Sequence, residues 1–162
     1  MEKFIIQGGN PLSGLVEIGG SKNAALPILA ATLLSETPSI IRNIPDLLDV
    51  NTMILVLQSL GVRIEKIAKG AYQIFPDSLI KSDAPYELIR KMRASFLVTG
   101  PLITRLRRAQ VPLPGGCAIG SRPIDLHIKG FLHLGVQVSM HSGYVEAWVD
   151  QLHPGEIYLD FP

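Results

Sequence analysis

The sequence predicts an α/β fold built from two copies of one unit, each combining helices with short strands. Helix-length and strand-length apolar segments alternate along the 162 residues. The same order of elements occurs twice, since Leu60-Gly61-Val62 precedes one predicted hairpin and Leu134-Gly135-Val136 the other, 134 − 60 = 74 positions later. A repeat of this length, with helices and strands in each copy, indicates stacked α/β units and not a solenoid of short repeats.

The first copy spans roughly residues 1–76 and begins with two strand-like runs, 4–7 and 15–18, on either side of a turn signal at 8–11. The elements that follow are a helix at 23–34 that Ser21 caps and Pro27 delays or bends, a strand at 39–43, a helix at 50–60 that Asp49 caps, and a hairpin of 62–66 with 71–75.

The second copy spans roughly residues 77–150. Its predicted elements are a helix region at 85–105, a strand at 110–113, a helix at 124–134 and a hairpin of 136–140 with 144–149. Each copy alone would leave one sheet face bare, so the helix layers of the copies are expected to pack together. Residues 156–162 resemble the start of a further strand, which predicts a third unit and makes 1–162 a single incomplete domain.

Composition and charge are those of an ordinary globular protein with no general affinity for polyanions. The chain is 47% hydrophobic and 18% charged, with a net charge of +1. Its most apolar run, 24–34, is far shorter than the roughly 20 residues that span a bilayer. The basic run 105–108 lacks interleaved aromatic residues and lies at a predicted helix end. We therefore expect a cytoplasmic protein without membrane or nucleic-acid partners, and its single cysteine is compatible with a reducing compartment.

The most informative stretch is 113–125, which contains the only cysteine, Cys117. Glycines at 115, 116 and 120 permit tight turns that expose backbone N–H groups. Arg122 nearby favours the thiolate over the thiol. These residues leave two interpretations open: a reactive thiol in a functional loop, or a polar turn with a bystander thiol.

Cations recur at the starts of helices in both copies. Lys22 and Asn23 stand at the first helix, and Lys91 and Arg93 stand at about the matching place in the second copy. A helix N-terminus already carries about half a positive charge, so cations there are unfavourable unless an anion fills the site. The alternative is that they are solvated surface charges, as most lysines and arginines are.

Several common sites are excluded by their spacing. The pair Gly115 and Gly120 imitates a phosphate-binding P-loop, but Ser121 and Arg122 stand where that motif needs lysine followed by serine or threonine. No G-x-G-x-x-G follows a predicted strand, which argues against a dinucleotide site. The four histidines have no metal-ligand spacing, so neither a metal nor another cofactor is predicted.

Three stretches together resemble a known family: 20–27, 90–95 and 113–127. The chain is similar over its whole length to the N-terminal part of the UDP-N-acetylglucosamine 1-carboxyvinyltransferases. This resemblance implies an enolpyruvyl transferase-type, inside-out α/β barrel-like domain of three repeat units, of which this chain has about two. It implies transfer of the enolpyruvyl group of phosphoenolpyruvate to the 3′-hydroxyl of UDP-N-acetylglucosamine, with release of phosphate. That is the first committed step of peptidoglycan synthesis, on which cell-wall biogenesis, cell shape and cell division depend, and the target of fosfomycin.

The resemblance also implies roles for particular residues. Cys117 would supply a proton to the substrate's methylene carbon and can form a covalent phospholactoyl adduct. The implied substrate-binding residues are Lys22, Asn23 and Arg122 for phosphoenolpyruvate, and Arg93, Arg122, Pro123, Ile124, Asp125 and Leu126 for UDP-N-acetylglucosamine. The family's C-terminal domain is missing here, so we expect the isolated chain to have little or no turnover.

Two other functions remain open. A shikimate-pathway enolpyruvyl transferase would share the fold, but its pattern lacks the Pro-Gly-Gly-Cys run found at 114–117. A catalytically silent UDP-sugar-binding module is the other candidate. The retention of Lys22, Arg93, Cys117 and Arg122 argues against such degeneracy.

Overall fold

The computed structural model describes residues 3–90, 92–114 and 123–158. They form two α/β units around one shared hydrophobic core, and each unit has a three-stranded antiparallel sheet. Among the described helices, none combines the length and the apolarity needed to cross a bilayer.

The first unit contains two helices and a sheet of strand order β1-β3-β2. Its elements are α1 (Lys22–Ala31) with a 3₁₀ turn at Thr32–Leu34, β1 (Ser39–Ile41), α2 (Leu48–Ser59), β2 (Arg63–Ala68), β3 (Ala71–Phe75) and a 3₁₀ turn at Pro76–Ser78.

The helix starts of this unit differ in detail from the prediction. Ser21 occupies the N-cap position of α1, but its side chain makes no capping hydrogen bond, and the helix runs through Pro27. α2 begins at Leu48, which places Asp49 in its first turn and not at the cap. The prediction that Asp49 caps α2 was therefore wrong, and its carboxylate is left available for another partner.

The N-terminal segment forms no strand, so the strands predicted at 4–7 and 15–18 were wrong for this structure. Its apolar side chains are almost fully exposed, with Phe4 at 96% and Leu15 at 94%. A strand needs a neighbouring backbone to pair its N–H and C=O groups. Within the described part of the chain, no such neighbour lies beside this segment.

The second unit repeats the sheet order of the first as β4-β6-β5. Its elements are α3 (Tyr86–Ile89), a 3₁₀ segment at Arg93–Val98, α4 (Thr99–Leu106), β4 (Arg108–Pro112), α5 (Asp125–His133), β5 (Gln137–His141) and β6 (Tyr144–Trp148). The two hairpins and the helix before each were correctly predicted, with boundaries shifted by one or two residues. Residues 156–158 are not in a strand, and 159–162 lie outside the described residues.

The helix region predicted at 85–105 is broken into three pieces. Met92 has extended backbone angles, φ −145° and ψ 128°, which no helix tolerates. The buried Ser95 hydroxyl donates to the carbonyl oxygen of Ile89 at 2.9 Å and also contacts that of Met92. These two carbonyls also accept the backbone N–H groups of Met92 and Ser95, so the hydroxyl adds a local side-chain contact at the break.

The helices of the two units pack directly on one another, as expected from the bare sheet faces. α1 packs against α2 and against the 3₁₀ segment of the second unit, and α2 also contacts α3. Val50, Met53 and Leu57 of α2 are completely buried as a result. The unit boundaries at 76 and 150 remain a prediction.

Arg105 joins the two units by a polar contact. Its Nη1 donates to the carbonyl oxygen of Leu33 at 3.0 Å and also contacts that of Ser35. These carbonyls lie at the C-terminal end of the 3₁₀ turn that follows α1. The arginine of one unit therefore satisfies a helix end of the other.

Replacing Arg105 with alanine is expected to lower the free energy of unfolding by about 1–3 kcal/mol, because part-buried carbonyls lose a charged donor. Urea unfolding followed by circular dichroism measures this. Lys81→Ala, which removes an exposed cation, is the control and should change stability by less than about 0.5 kcal/mol. Equal midpoints for the two variants would contradict a role for Arg105 in joining the units.

Candidate functional site

The predicted site residue Lys22 stands at the first position of α1, at the end of a tightly packed backbone turn. A Cβ on Gly20 would lie 1.8 Å from the carbonyl oxygen of Asn43, so only glycine fits there. Asn43 itself has a left-handed backbone, φ 58°, and the next residue, Ile44, donates its N–H to the Gly70 carbonyl at 2.9 Å. The start of α1 is thereby held against the loop that leads into α2.

This arrangement brings the N-terminal ends of α1 and α2 together. Lys22 Nζ lies 2.7 Å from Asp49 Oδ2, and both side chains remain partly exposed, at 44% and 36%. The Asp49 carboxylate is favourable in the first turn of α2 and also neutralises a cation that α1 alone would repel. At this exposure the pair contributes at most about 1 kcal/mol to stability, so its geometry matters more than its strength.

Asn23 is the second residue of α1 and is exposed beside Lys22. The backbone of Arg93 begins the 3₁₀ segment that packs on α1. This predicted site residue is therefore the first residue of an element in contact with the Lys22 helix. The helix α1 and that segment are thus parts of one packed region. Lys91 lies outside the described residues.

The residues predicted for the UDP-sugar side lie around the start of α5. Pro123 and Asp125 are exposed, and Leu126 is 37% exposed. Ile124 holds the N-cap position and is 8% exposed, so its side chain is part of the hydrophobic core. Of these four residues, Ile124 anchors the helix start and the other three present their side chains to solvent.

Cys117 and Arg122 lie outside the described residues, because 115–122 are not described. Both ends of that stretch are attached to the fold. The Leu113 N–H donates to the Gly143 carbonyl at 2.7 Å, and the following Pro114 is buried. The structure therefore fixes where the cysteine-containing stretch leaves β4 and where it enters α5.

Asp49 is the site residue that sequence reasoning assigned to a purely structural role. Its pairing with Lys22 has no sequence signal, because the two residues belong to different helices at no periodic spacing. The close backbone approach at Gly20, by which the two helix starts meet, is visible only in the structure. Within the described part of the chain, no three His, Cys, Asp or Glu side chains converge on a point where a metal ion could bind.

The family model for EPSP synthase (3-phosphoshikimate 1-carboxyvinyltransferase) matches residues 6–162, and the chain belongs to this family. The fold agrees: the enolpyruvyl transferase NikO from Streptomyces tendae has a TM-score of 0.76 at 20% identity, covering 91% of this chain and 32% of that one. EPSP synthase from Acinetobacter baumannii gives 0.62 at 17% identity, covering 85% and 32%.

Within the family, relatives of much higher identity share one name. A protein of Carboxydothermus hydrogenoformans named UDP-N-acetylglucosamine 1-carboxyvinyltransferase 2 is 49% identical over 162 residues, which are all of this chain and 38% of the relative. A protein of Caldanaerobacter subterraneus subsp. tengcongensis named UDP-N-acetylglucosamine 1-carboxyvinyltransferase 1 is 50% identical over 161 residues, 99% of this chain and 38% of the relative. The resemblance seen in the sequence is confirmed. The chain spans less than two fifths of the length of these relatives.

Proposed function

We propose that this chain forms the N-terminal part of an enzyme that transfers enolpyruvyl from phosphoenolpyruvate to the 3′-hydroxyl of UDP-N-acetylglucosamine and releases phosphate. The observation that supports this most strongly is identity near one half over the whole chain to proteins of that name. The silent binding module and the shikimate-pathway enzyme have no comparable support. The proposed location is the cytoplasm, and the proposed role is peptidoglycan synthesis, with fosfomycin as an inhibitor.

The proposed reaction has two steps that balance. In the addition, the sugar 3′-oxygen forms a bond to C2 of phosphoenolpyruvate, C3 gains a proton, and the hydroxyl proton is lost to a base. In the elimination, the C2–O bond to phosphate breaks, C3 loses a proton, and the enol ether and inorganic phosphate are released. Cys117 is proposed to give the proton to C3, a step in which a positioned acid contributes about 10²–10⁴-fold.

The other proposed roles follow from charge and position. Lys22, Asn23 and Arg122 would bind the two anionic ends of phosphoenolpyruvate. Arg93 and the stretch 122–126 would bind UDP-N-acetylglucosamine. The convergence of two helix N-termini at Lys22 supports an anion there, because both ends present unpaired N–H donors and positive potential. Fixing both substrates converts their encounter into an oriented, effectively unimolecular step.

The proposed partner is the C-terminal remainder of the longer protein, and two surfaces of this chain support it. The first is the exposed apolar segment from Phe4 to Ile18. The second is α5, which has no buried residue among its nine, whereas the equivalent helix α2 is packed by the following unit. An apolar pocket of about 250 Å³ lies beside α5, lined by Pro101, Phe131 and other residues of both units. Apolar surfaces of this kind mark interfaces.

The test is to combine this chain with the C-terminal part of the Carboxydothermus hydrogenoformans relative, beginning where its match to this chain ends. Phosphate release from phosphoenolpyruvate is expected only when both polypeptides and UDP-N-acetylglucosamine are present. Amide hydrogen exchange of residues 4–18 should be fast in the isolated chain and slow in the combined sample. The matched control replaces UDP-N-acetylglucosamine with shikimate 3-phosphate, for which no phosphate release is expected.

Three results would overturn the proposal. Robust turnover by the isolated chain would contradict the need for a partner. Protection of residues 4–18 without any phosphate release would favour the silent module. Turnover with shikimate 3-phosphate in place of the UDP-sugar would favour the shikimate-pathway reaction.

A further inference from the structure

The ion pair between Lys22 and Asp49 joins the N-terminal ends of two helices. Lys22 is at the first position of α1 and Asp49 is in the first turn of α2, so the contact of 2.7 Å spans the meeting point of two helix starts. The neighbouring backbone is fixed by the Gly20 approach and by the Ile44 to Gly70 hydrogen bond. Both partners are therefore attached to rigid elements, and their contact places the ammonium group between the two helix starts.

An ammonium group has three N–H donors, of which one carboxylate oxygen takes one. Within the part of the chain that the structure describes, the pair with Asp49 leaves two donors of Lys22 for a ligand, and both side chains are partly open to solvent. An unanchored lysine carries about 2 kcal/mol of rotamer entropy, part of which is lost whenever it binds a ligand. A lysine already held by Asp49 has lost much of this freedom before the ligand arrives.

We propose that Asp49 is a positioning residue, which holds the Lys22 ammonium where the helix starts meet so that it binds the phosphate group of the substrate. The inference rests on the proposed function only for the identity of the anion. It deepens that function by assigning to a carboxylate, which would by charge alone repel the substrate, the task of fixing the cation that binds it. Asp46, three residues earlier, accepts a hydrogen bond from Asn51 Nδ2 at 3.3 Å and has no such task.

Two variants of equal charge separate positioning from electrostatics. Asp49→Asn keeps an oxygen acceptor at the same distance along the side chain, whereas Asp49→Ala removes it. Both remove the negative charge, so its repulsion of an anion is lost equally in each. Any difference between them in anion affinity therefore reports the hydrogen bond that holds Lys22.

The experiment measures the dissociation constant of inorganic phosphate for the 162-residue chain by following amide and lysine side-chain NMR signals. Phosphate is expected to bind Asp49→Ala about fivefold or more weakly than Asp49→Asn, which corresponds to half of the lysine rotamer entropy. The Lys22 ammonium signal should be visible in the unmodified chain and in Asp49→Asn, and broadened in Asp49→Ala. The matched pair Asp46→Asn and Asp46→Ala should bind phosphate equally.

Equal affinities of the two Asp49 variants, tighter binding by Asp49→Ala, or no phosphate binding by the unmodified chain would overturn the proposal. Urea midpoints check that each variant is folded, and Asp49→Ser replaces Asp49→Ala if the latter unfolds. The proposed function is tested separately by turnover in the combined sample. If enolpyruvyl transfer fails but the two Asp49 variants still differ in phosphate affinity, the proposed reaction is rejected and the positioning role is retained. If transfer occurs but the two variants bind phosphate equally, the reaction is retained and the positioning role is rejected.

Discussion

Replacing Cys117 with serine is expected to lower kcat by about 10²–10⁴-fold when the chain is combined with the C-terminal part of its relative. A serine hydroxyl is a far weaker acid than a thiol, so it cannot deliver the proton to C3 at a comparable rate. The expected loss is in kcat with little change in the KM for UDP-N-acetylglucosamine, because the variant keeps Arg93 and the stretch 122–126 proposed to bind that substrate. Steady-state phosphate release measures both constants.

Chemical labelling provides the independent check on Cys117. In mass spectra, the unmodified protein should gain the mass of one fosfomycin molecule at Cys117, and the reaction should be faster in the presence of UDP-N-acetylglucosamine. Cys117→Ser should gain none. Ser121→Ala, in the same stretch, is the matched control and should retain both labelling and turnover within a few-fold. Full turnover by Cys117→Ser would show that the cysteine is not needed for the reaction, even if fosfomycin labels Cys117 in the unmodified protein.

Replacing Gly20 with alanine is expected to lower the free energy of unfolding by about 3 kcal/mol or more. The new Cβ would lie 1.8 Å from the Asn43 carbonyl oxygen, and that backbone atom cannot move aside as a flexible side chain could. The loop into α2 must shift, which separates Lys22 from Asp49 and weakens phosphate binding as well. Urea unfolding and the phosphate titration measure the two effects.

Gly19→Ala is the matched control for this prediction. A Cβ on Gly19 would meet no heavy atom within 4 Å, so the variant should be as stable as the unmodified chain or slightly more stable. Similar urea midpoints for the Gly19 and Gly20 variants would show that the close backbone approach is not needed for stability.

Local patterns were sufficient to predict most of the repeated elements. The Gly-containing turns at 69–70 and 142–143 and the apolar alternation beside them predict both hairpins, which the structure contains. These elements are determined by residues close together in sequence, since turn geometry and side-chain period both act over a few positions. The same holds for α2 and α5, each of which is ended by a glycine with positive φ.

Two features were predicted wrongly because they depend on contacts that the sequence pattern does not show. Residues 4–18 have strand-like sequence, but a strand exists only where another backbone pairs with it. The break at Met92 depends on where the Ser95 hydroxyl finds its acceptors, which periodicity does not show. For the site, the position of Lys22 at a helix start was predictable. Its pairing with Asp49 was not, because it requires knowing that α1 and α2 meet at their N-termini.

Each sheet pairs strands that come from one continuous stretch of the chain, which affects how the protein can fold during its synthesis. Among the described residues, the strands of the first sheet lie between Ser39 and Phe75, and those of the second lie between Arg108 and Trp148. A nascent polypeptide leaving the ribosome thus holds these strands of the first sheet before Arg108 has been added. Short sequence separation between pairing strands favours rapid folding, so the earlier half is expected to assemble during translation and to await the later one.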